Sequence, residues 1–227
     1  MENNYEKFVR WYLRFNGYLT VENFVVHEPQ NGRVPEGTEF DTLAVRFPYS
    51  REQIEQKLIQ NDPRLEDTEA SGGKLTDFVI AEVKSGKRNG LNDIWHPDGG
   101  DQRTNHVAYL LRWLGSLTTE AEIAEVAGQL QKDLRALHGS FIFRVIYFSH
   151  AKTRQAVPAT VPQITFREIA EFVVNLRTPC WAQYNMGVKS AHEQWDDMIR
   201  KIWDIGNPEK AGSNGEKIDE ILELLTK

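Results

Sequence analysis

Residues 74–86, KLTDFVIAEVKSG, decide how the rest of the chain is read. Phe78, Val79, Ile80 and Ala81 form a continuous apolar run, which suits a strand covered on both faces. Glu82 and Lys84 follow, two apart, so on a strand their side chains leave one face. Val83 turns the other way, into the core, and its carbonyl stays available at the strand end. Gly86 then breaks the strand and lets its end open at the sheet edge.

Upstream, EFDTLAVRF (39–47) reads as a preceding strand, with Asp41 and Glu39 on one side and Phe40 opposite. YLTVENFVVHE (18–28) is rich in β-branched and aromatic residues and reads as the strand before that. In YEKFVRWYLRFNG (5–17), Phe8, Tyr12 and Phe15 mark the buried stripe of an amphipathic helix, and Gly17 is placed to end it. The polar excursion at 50–72 is expected to hold a short helix around residues 51–60 and a loop after it.

Downstream, helices are expected from Gln102 to Leu117, capped by Asp101, and from Thr119 to His138, capped by Thr118. FIFRVIYFSH (141–150) is the most strand-like segment. A short strand ITF (164–166), a helix REIAEFVVNLR (167–177), a break at Pro179 and Trp-bearing helices to Ile205 follow. Residues 206–217 read as a flexible linker and 217–227 as a terminal helix. Three consecutive strands favour a meander, and the helical crossover before the fourth favours parallel pairing there. The fold class is therefore α/β: a mixed central β-sheet flanked by helices. The expected domain covers residues 1–178, with an insertion at 50–72, and a helical C-terminal extension covers 179–227.

The chain has 227 residues, 40% hydrophobic and 26% charged, enough for one sizeable domain with additions. Its formal net charge of −6 argues mildly against coating nucleic acid by bulk attraction. It leaves room for an enzyme that meets a polyanion at a local basic strip. No apolar run approaches the roughly 18 residues of a membrane span, and MENNYEKF is too polar for a signal peptide. The single cysteine, Cys180, rules out an internal disulfide and a Cys-based zinc cage, so a cytoplasmic setting and no membrane partner are expected.

If the two strands carrying them are neighbours, Asp41, Glu82 and Lys84 converge on one point. Two carboxylates, the Val83 carbonyl and water suit Mg²⁺, a hard ion that takes oxygen ligands. A bound metal makes hydroxide available near neutral pH, and an adjacent ammonium can orient the attacking water or stabilise the charge of the transition state.

Asp41, a spacer, then Glu82-Val83-Lys84 after an apolar strand resembles the PD-(D/E)xK nuclease superfamily, with its restriction-endonuclease-like fold. GTEFDTLAV and FVIAEVKSG look closest to its Mrr-like, nuclease-related and Holliday-junction-resolvase-like branches. The resemblance runs from the first helix to the ITF segment. It implies a metal-dependent endonuclease acting on nucleic acid, with DNA the expected substrate. Asp41, Glu82 and the Val83 carbonyl would hold Mg²⁺ (or Mn²⁺), and Lys84 would assist the water. Glu6 is similar in position to a helix-one glutamate that some members place near the metal. Glu39, Gln102 and His106 stand where relatives place supporting polar residues. Two departures stand out: Phe40 replaces the proline before the aspartate, and the spacer from Thr42 to Ala81 is long enough to require the insertion.

Each feature has a plainer reading. Glu-x-Lys is a cheap pattern, repeated at Glu55-Gln56-Lys57 on a polar stretch. Asp41, Glu82 and Lys84 also fit a structural ion pair with a bystander. Glu6 also fits a surface pair with Arg10 at i+4. Lys87, Arg88, Arg144, Lys152 and Arg154 could line a phosphate track or be ordinary surface cations. Trp95 could stack on a base, though the tryptophans fit core packing better. His27, His96, His138, His150 and His192 show no ligand spacing. The alternative function is a catalytically weak or inactive nuclease-fold module that binds nucleic acid or a partner protein. The apolar and Trp content of residues 179–227 (Trp181, Trp195, Trp203) also suggests a homodimer through the C-terminal helices.

Overall fold

The computed structural model describes residues 3–26, 38–54, 57–67, 74–86, 90–95, 101–153, 155–183 and 196–227. Helix α1 (Asn4–Phe15) opens the chain, capped by Asn3 and Glu6, each of which bonds to the other's backbone N–H. Phe8, Tyr12 and Phe15 are buried as expected, with Val9 and Leu13 beside them. Gly17 follows with φ +82°, and a Cβ there would stand 2.9 Å from the Ser50 carbonyl oxygen. Both the left-handed turn and the close approach require glycine.

Strands β1 (Leu19–Val26), β2 (Thr38–Arg46) and β5 (Thr76–Lys84) form an antiparallel meander. Between β2 and β5, the expected helix at 51–60 is replaced by a tiny hairpin, β3 (Gln53–Ile54) against β4 (Lys57–Leu58). The segment has too few apolar residues to support an isolated helix, and tertiary anchors decide its course. Ile59 and Leu65 are buried, Glu52 pairs with Arg177, and Asp62 accepts from the Tyr12 hydroxyl at 2.9 Å.

Helix α2 (Asp101–Leu114) begins at Asp101 itself, and α3 (Glu120–Asp133) is capped by Thr119 rather than Thr118, with Glu122 completing the capping box. The second helix also ends five residues sooner than the reading to His138. Leu134 adopts φ +57° as its cap, and β6 (Arg135–His138) turns back antiparallel against β7 (Phe141–Ser149). Strand β7 pairs in parallel with β5 from Thr76↔Phe141 to Lys84↔Ser149. The short β8 (Gln163–Thr165) runs parallel to the second half of β7. The sheet order is β1-β2-β5-β7, with β6 and β8 on the far side of β7.

Helix α4 (Phe166–Phe172) passes through a π-helical turn at Val173–Arg177 into α5 (Thr178–Gln183). The chain therefore does not break at Pro179. The wide turn precedes it, and the proline falls in the first turn of a helix, where no N–H is needed. Helix α6 (Asp197–Gly206) is followed by a short turn, and α7 (Asn214–Leu225) starts at a Ser213–Glu216 capping box inside the expected linker.

Two apolar clusters cover the two faces of the sheet. One joins α1, α4, α6 and α7 to Ala44, Val79, Ala81 and Val83; the other joins α2 and α3 to Leu43, Phe78, Ile80 and Tyr147. Met198, Ile199, Ile202, Ile218 and Ile221 all sit in the first cluster, so these apolar residues of the C-terminal helices are spent inside the protomer. Trp181 packs edge-on against Trp203, 5.7 Å between centroids. No described helix is long and apolar enough to cross a membrane.

At the amino end of β5, Arg144 is 2% exposed, which removes it from any surface phosphate track. Its guanidinium grips Asp77 with two bonds of 2.9 and 2.7 Å and donates to the Leu65 carbonyl at 2.6 Å. Tyr18 donates to the same carboxylate. Breaking one side of a buried, bidentate pair leaves a charge without its partner. Arg144→Met should therefore lower stability by about 3–5 kcal/mol in urea denaturation, and Asp77→Asn with Arg144→Met together should lower it less. A double variant no better than the single one would refute this account.

Candidate functional site

The ladder between β2 and β5 ends at the pair Thr42↔Ala81. One step further, Asp41 and Glu82 would face each other, and then Phe40 and Val83. Instead of continuing the ladder, the Asp41 carboxylate accepts the Val83 backbone N–H at 2.7 Å. A side chain thus takes the place of a main-chain acceptor where two strands part. Because N–H and C=O of one strand residue leave the same edge, the Val83 carbonyl also points towards the end of β2.

Strict alternation does not run through this point. The β1–β2 register keeps a single offset from Glu22↔Thr42 to Phe24↔Phe40, yet the side chains of β2 do not alternate evenly between the two faces. Phe40 packs in the cluster of Leu43 and Ile80, its ring 6.2 Å from that of Trp95, rather than on the opposite face. Val83 behaves as expected and is buried among the residues of the other cluster.

Glu82 is only 3% exposed. Lys84 Nζ donates to its Oε1 at 2.5 Å, and the Trp95 indole N–H donates to its Oε2 at 3.0 Å. Lys84 is itself held by a second bond of 2.6 Å to Asn92 Oδ1. Burial pushes the Glu82 carboxyl above its ordinary value, Lys84 opposes this, and the Asp41 charge reinforces it. The three residues singled out in the sequence therefore meet at one place, in electrostatic contact.

The supporting residues fare unevenly. Glu6 is committed to capping its own helix, accepting from the Asn3 side-chain amide at 2.5 Å. Its neighbour Arg10 pairs with Glu22. His106 is half-buried on α2. Glu39 and Gln102 lie on β2 and α2, but their side chains fall outside the described residues, as do Lys87, Arg88, Arg154 and Trp195. Lys152 is surface-exposed and pairs with Glu168 at 2.7 Å. Trp95 is 3% exposed, so it is a buried donor to Glu82 and not an open stacking platform. Asn92 is the residue that sequence reasoning missed. The only signal was a polar residue in the loop LNDIW that returns over the strand end.

Hard oxygen donors at Asp41, Glu82 and the Val83 carbonyl match what Mg²⁺ takes. An ionised carboxylate offers about four acceptor sites, of which Lys84 and Trp95 occupy two on Glu82. Among the described residues no group of three or more His, Cys, Asp or Glu side chains could hold a metal ion, so an ion here would depend on the two carboxylates, the carbonyl and water. The residues present fit the ion on those terms.

Comparison of the chain with family models, with curated proteins and with solved structures gave no match in any of the three.

A glutamate with a raised folded-state pKa binds more protons folded than unfolded. Its contribution to stability is thus full below the unfolded pKa and is lost as pH rises through the folded one. Lys84→Met removes the ammonium that limits this loss. The variant's stability should fall away from wild type as pH is raised from below the ordinary glutamate range to well above it, read as the gap in urea midpoints. A gap that stays constant over that range would show that Lys84 does not compensate the buried charge.

Proposed function

We propose that the protein is a metal-dependent phosphodiesterase, an endonuclease of the restriction-endonuclease-like class acting on nucleic acid, with DNA as the substrate. The observation that carries this reading is the meeting of Asp41, Glu82 and Lys84 where the β2–β5 ladder parts. The order of elements (helix, three-stranded antiparallel meander, helical crossover, then a strand parallel to the third) supports the reading, being a mixed central sheet flanked by helices as the resemblance implies.

Asp41, Glu82 and the Val83 carbonyl would hold Mg²⁺ or Mn²⁺, which when bound supplies an activated water and offsets charge on the phosphoryl oxygens. Val83 N–H fixes the Asp41 carboxylate, and Trp95 fixes Glu82, so neither has to reorganise on binding. Asn92 holds the Lys84 ammonium at the site, where it donates to the attacking water or to the phosphoryl oxygen that gains charge. Protonation of Glu82 competes with the ion, so metal affinity should fall on acidification.

One observation favours a second reading. Both Glu82 oxygens and the Lys84 ammonium already have protein partners, which is what a satisfied structural ion pair looks like. On that reading the fold is a catalytically weak or inactive module that binds nucleic acid or a partner protein.

A cleavage assay over Mg²⁺ and Mn²⁺ with mixed DNA and RNA substrates separates the two. Wild type should cut and stop on chelation. Asp41→Asn, Glu82→Gln and Lys84→Ala, with folding checked by circular dichroism, should each lower the rate by roughly 10²–10³-fold. Absence of metal-dependent cleavage on every substrate would favour the binding module, and equal cleavage by all four proteins would point to a contaminant.

A further inference from the structure

Beside the site lies a cavity of about 670 Å³, within the range of small-molecule pockets. It is bounded by the loop after β5, the loop after β7 and one side of α3. It thus opens at the carboxyl ends of the two parallel strands, where open α/β sheets place their ligands. Trp95 belongs to both places: it lines this cavity and its indole N–H holds Glu82. The two loops are in contact, for a Cβ on Gly90 would lie 3.4 Å from the Ala156 methyl, and the Gly90 N–H is tied to the Tyr147 hydroxyl at 3.1 Å.

The cavity's chemistry is divided. Leu91, Trp95, Leu134 and Val157 are buried residues that give it apolar walls. The exposed Gln155 and Lys132 stand at its edge, and Lys132 makes no ion pair among the described residues. Gly128 lies in the middle of α3, where glycine is unfavourable, yet a Cβ there would meet nothing within 4 Å. No packing contact demands the glycine, and its missing side chain leaves the cavity's mouth open.

We propose that this cavity receives one unstacked nucleobase of the substrate, with Lys132 on that nucleotide's phosphate, so that the enzyme prefers single-stranded or locally unpaired nucleic acid. The proposal rests on the nuclease reading of the adjoining site. A flat base fits apolar walls with an amide at the rim, which is how unstacked bases are recognised. A bare phosphate would use one cation and waste the apolar walls. A purely apolar ligand would make no use of Lys132 and Gln155. A base held in a duplex cannot enter without being extruded, at the cost of its pairing and stacking.

The test is run on the full chain with chelator present, so that binding is read without cleavage. Deoxynucleoside 5′-monophosphates are titrated while the Trp95 indole N–H resonance is followed, assigned through Trp95→Phe, with deoxyribose 5-phosphate as the base-free arm. The nucleotides should shift that resonance and bind at least roughly tenfold more tightly than the sugar phosphate. Gly128→Trp should abolish the binding, while Gly128→Ala, which adds one methyl to open space, should keep it and raise the melting temperature. Wild type should prefer a single strand over the duplex of the same sequence, and Gly128→Trp should lose that preference. No shift of the Trp95 resonance with any nucleotide, or unchanged binding by Gly128→Trp, overturns the proposal. Failure to cut with Mg²⁺ or Mn²⁺ despite Gly128-dependent nucleotide binding overturns the nuclease reading alone. Cleavage of single strand and duplex alike, without nucleotide binding, overturns the pocket alone.

Discussion

The parallel pairing of β5 with β7, held in one register from Thr76↔Phe141 to Lys84↔Ser149, organises both ends of the molecule. Parallel strands need a covered crossover between them, and α2 and α3 supply it while burying Phe78 and Ile80 on one face. Towards the amino end of the pair, Asp77, opposite Ile142, and Arg144, opposite Val79, stand two register positions apart on one face and neutralise each other in the interior. At the carboxyl end, Glu82 lies opposite Tyr147, and the loop that leaves β5 folds back so that Trp95 donates to its carboxylate and Gly90 to the Tyr147 hydroxyl. One ladder thus carries a buried ion pair towards each of its ends.

The two pairs differ in how their charges are satisfied. Arg144 meets Asp77 through two bonds and adds a carbonyl, and both side chains are 2% exposed. Lys84 meets Glu82 through one bond, and the lysine side chain keeps 18% of its surface. A compact ammonium on a flexible stem can move to a new partner where a forked guanidinium cannot. Burial and the Asp41 charge both push the Glu82 carboxyl up, against Lys84. Such tension between neighbouring titratable groups is characteristic of sites that bind ions or carry out chemistry.

Local pattern made α1 legible, since the spacing of Phe8, Tyr12 and Phe15 leaves a helix only one way to bury them. The apolar run before Glu82 likewise announced a doubly covered strand. The insertion was misread because REQIEQKLIQ carries a helical rhythm but little apolar surface, and contacts from Tyr12, Asn16 and Arg177 outweigh so weak a preference. Strand β6 was hidden for a similar reason. Leu134 must adopt a left-handed cap before the chain can turn back on β7, and nothing in residues 130–138 signals that except Gly139 beyond them.

For the candidate site, the sequence by itself determined that Glu82 and Lys84 share a strand face and that Val83 enters the core, because the period of a β-strand is two. It also singled out Asp41 as their companion. Only the tertiary structure decided that β2 parts from β5 at that residue, that the Asp41 carboxylate caps the Val83 N–H, and that Trp95 and Asn92 fold back onto Glu82 and Lys84. It alone took Arg144 into the interior and Glu6 into a helix cap. The reason is physical: periodicity states which way a side chain points along one element. Which partner it meets depends on where other elements end, and that is settled by packing between segments far apart in the chain.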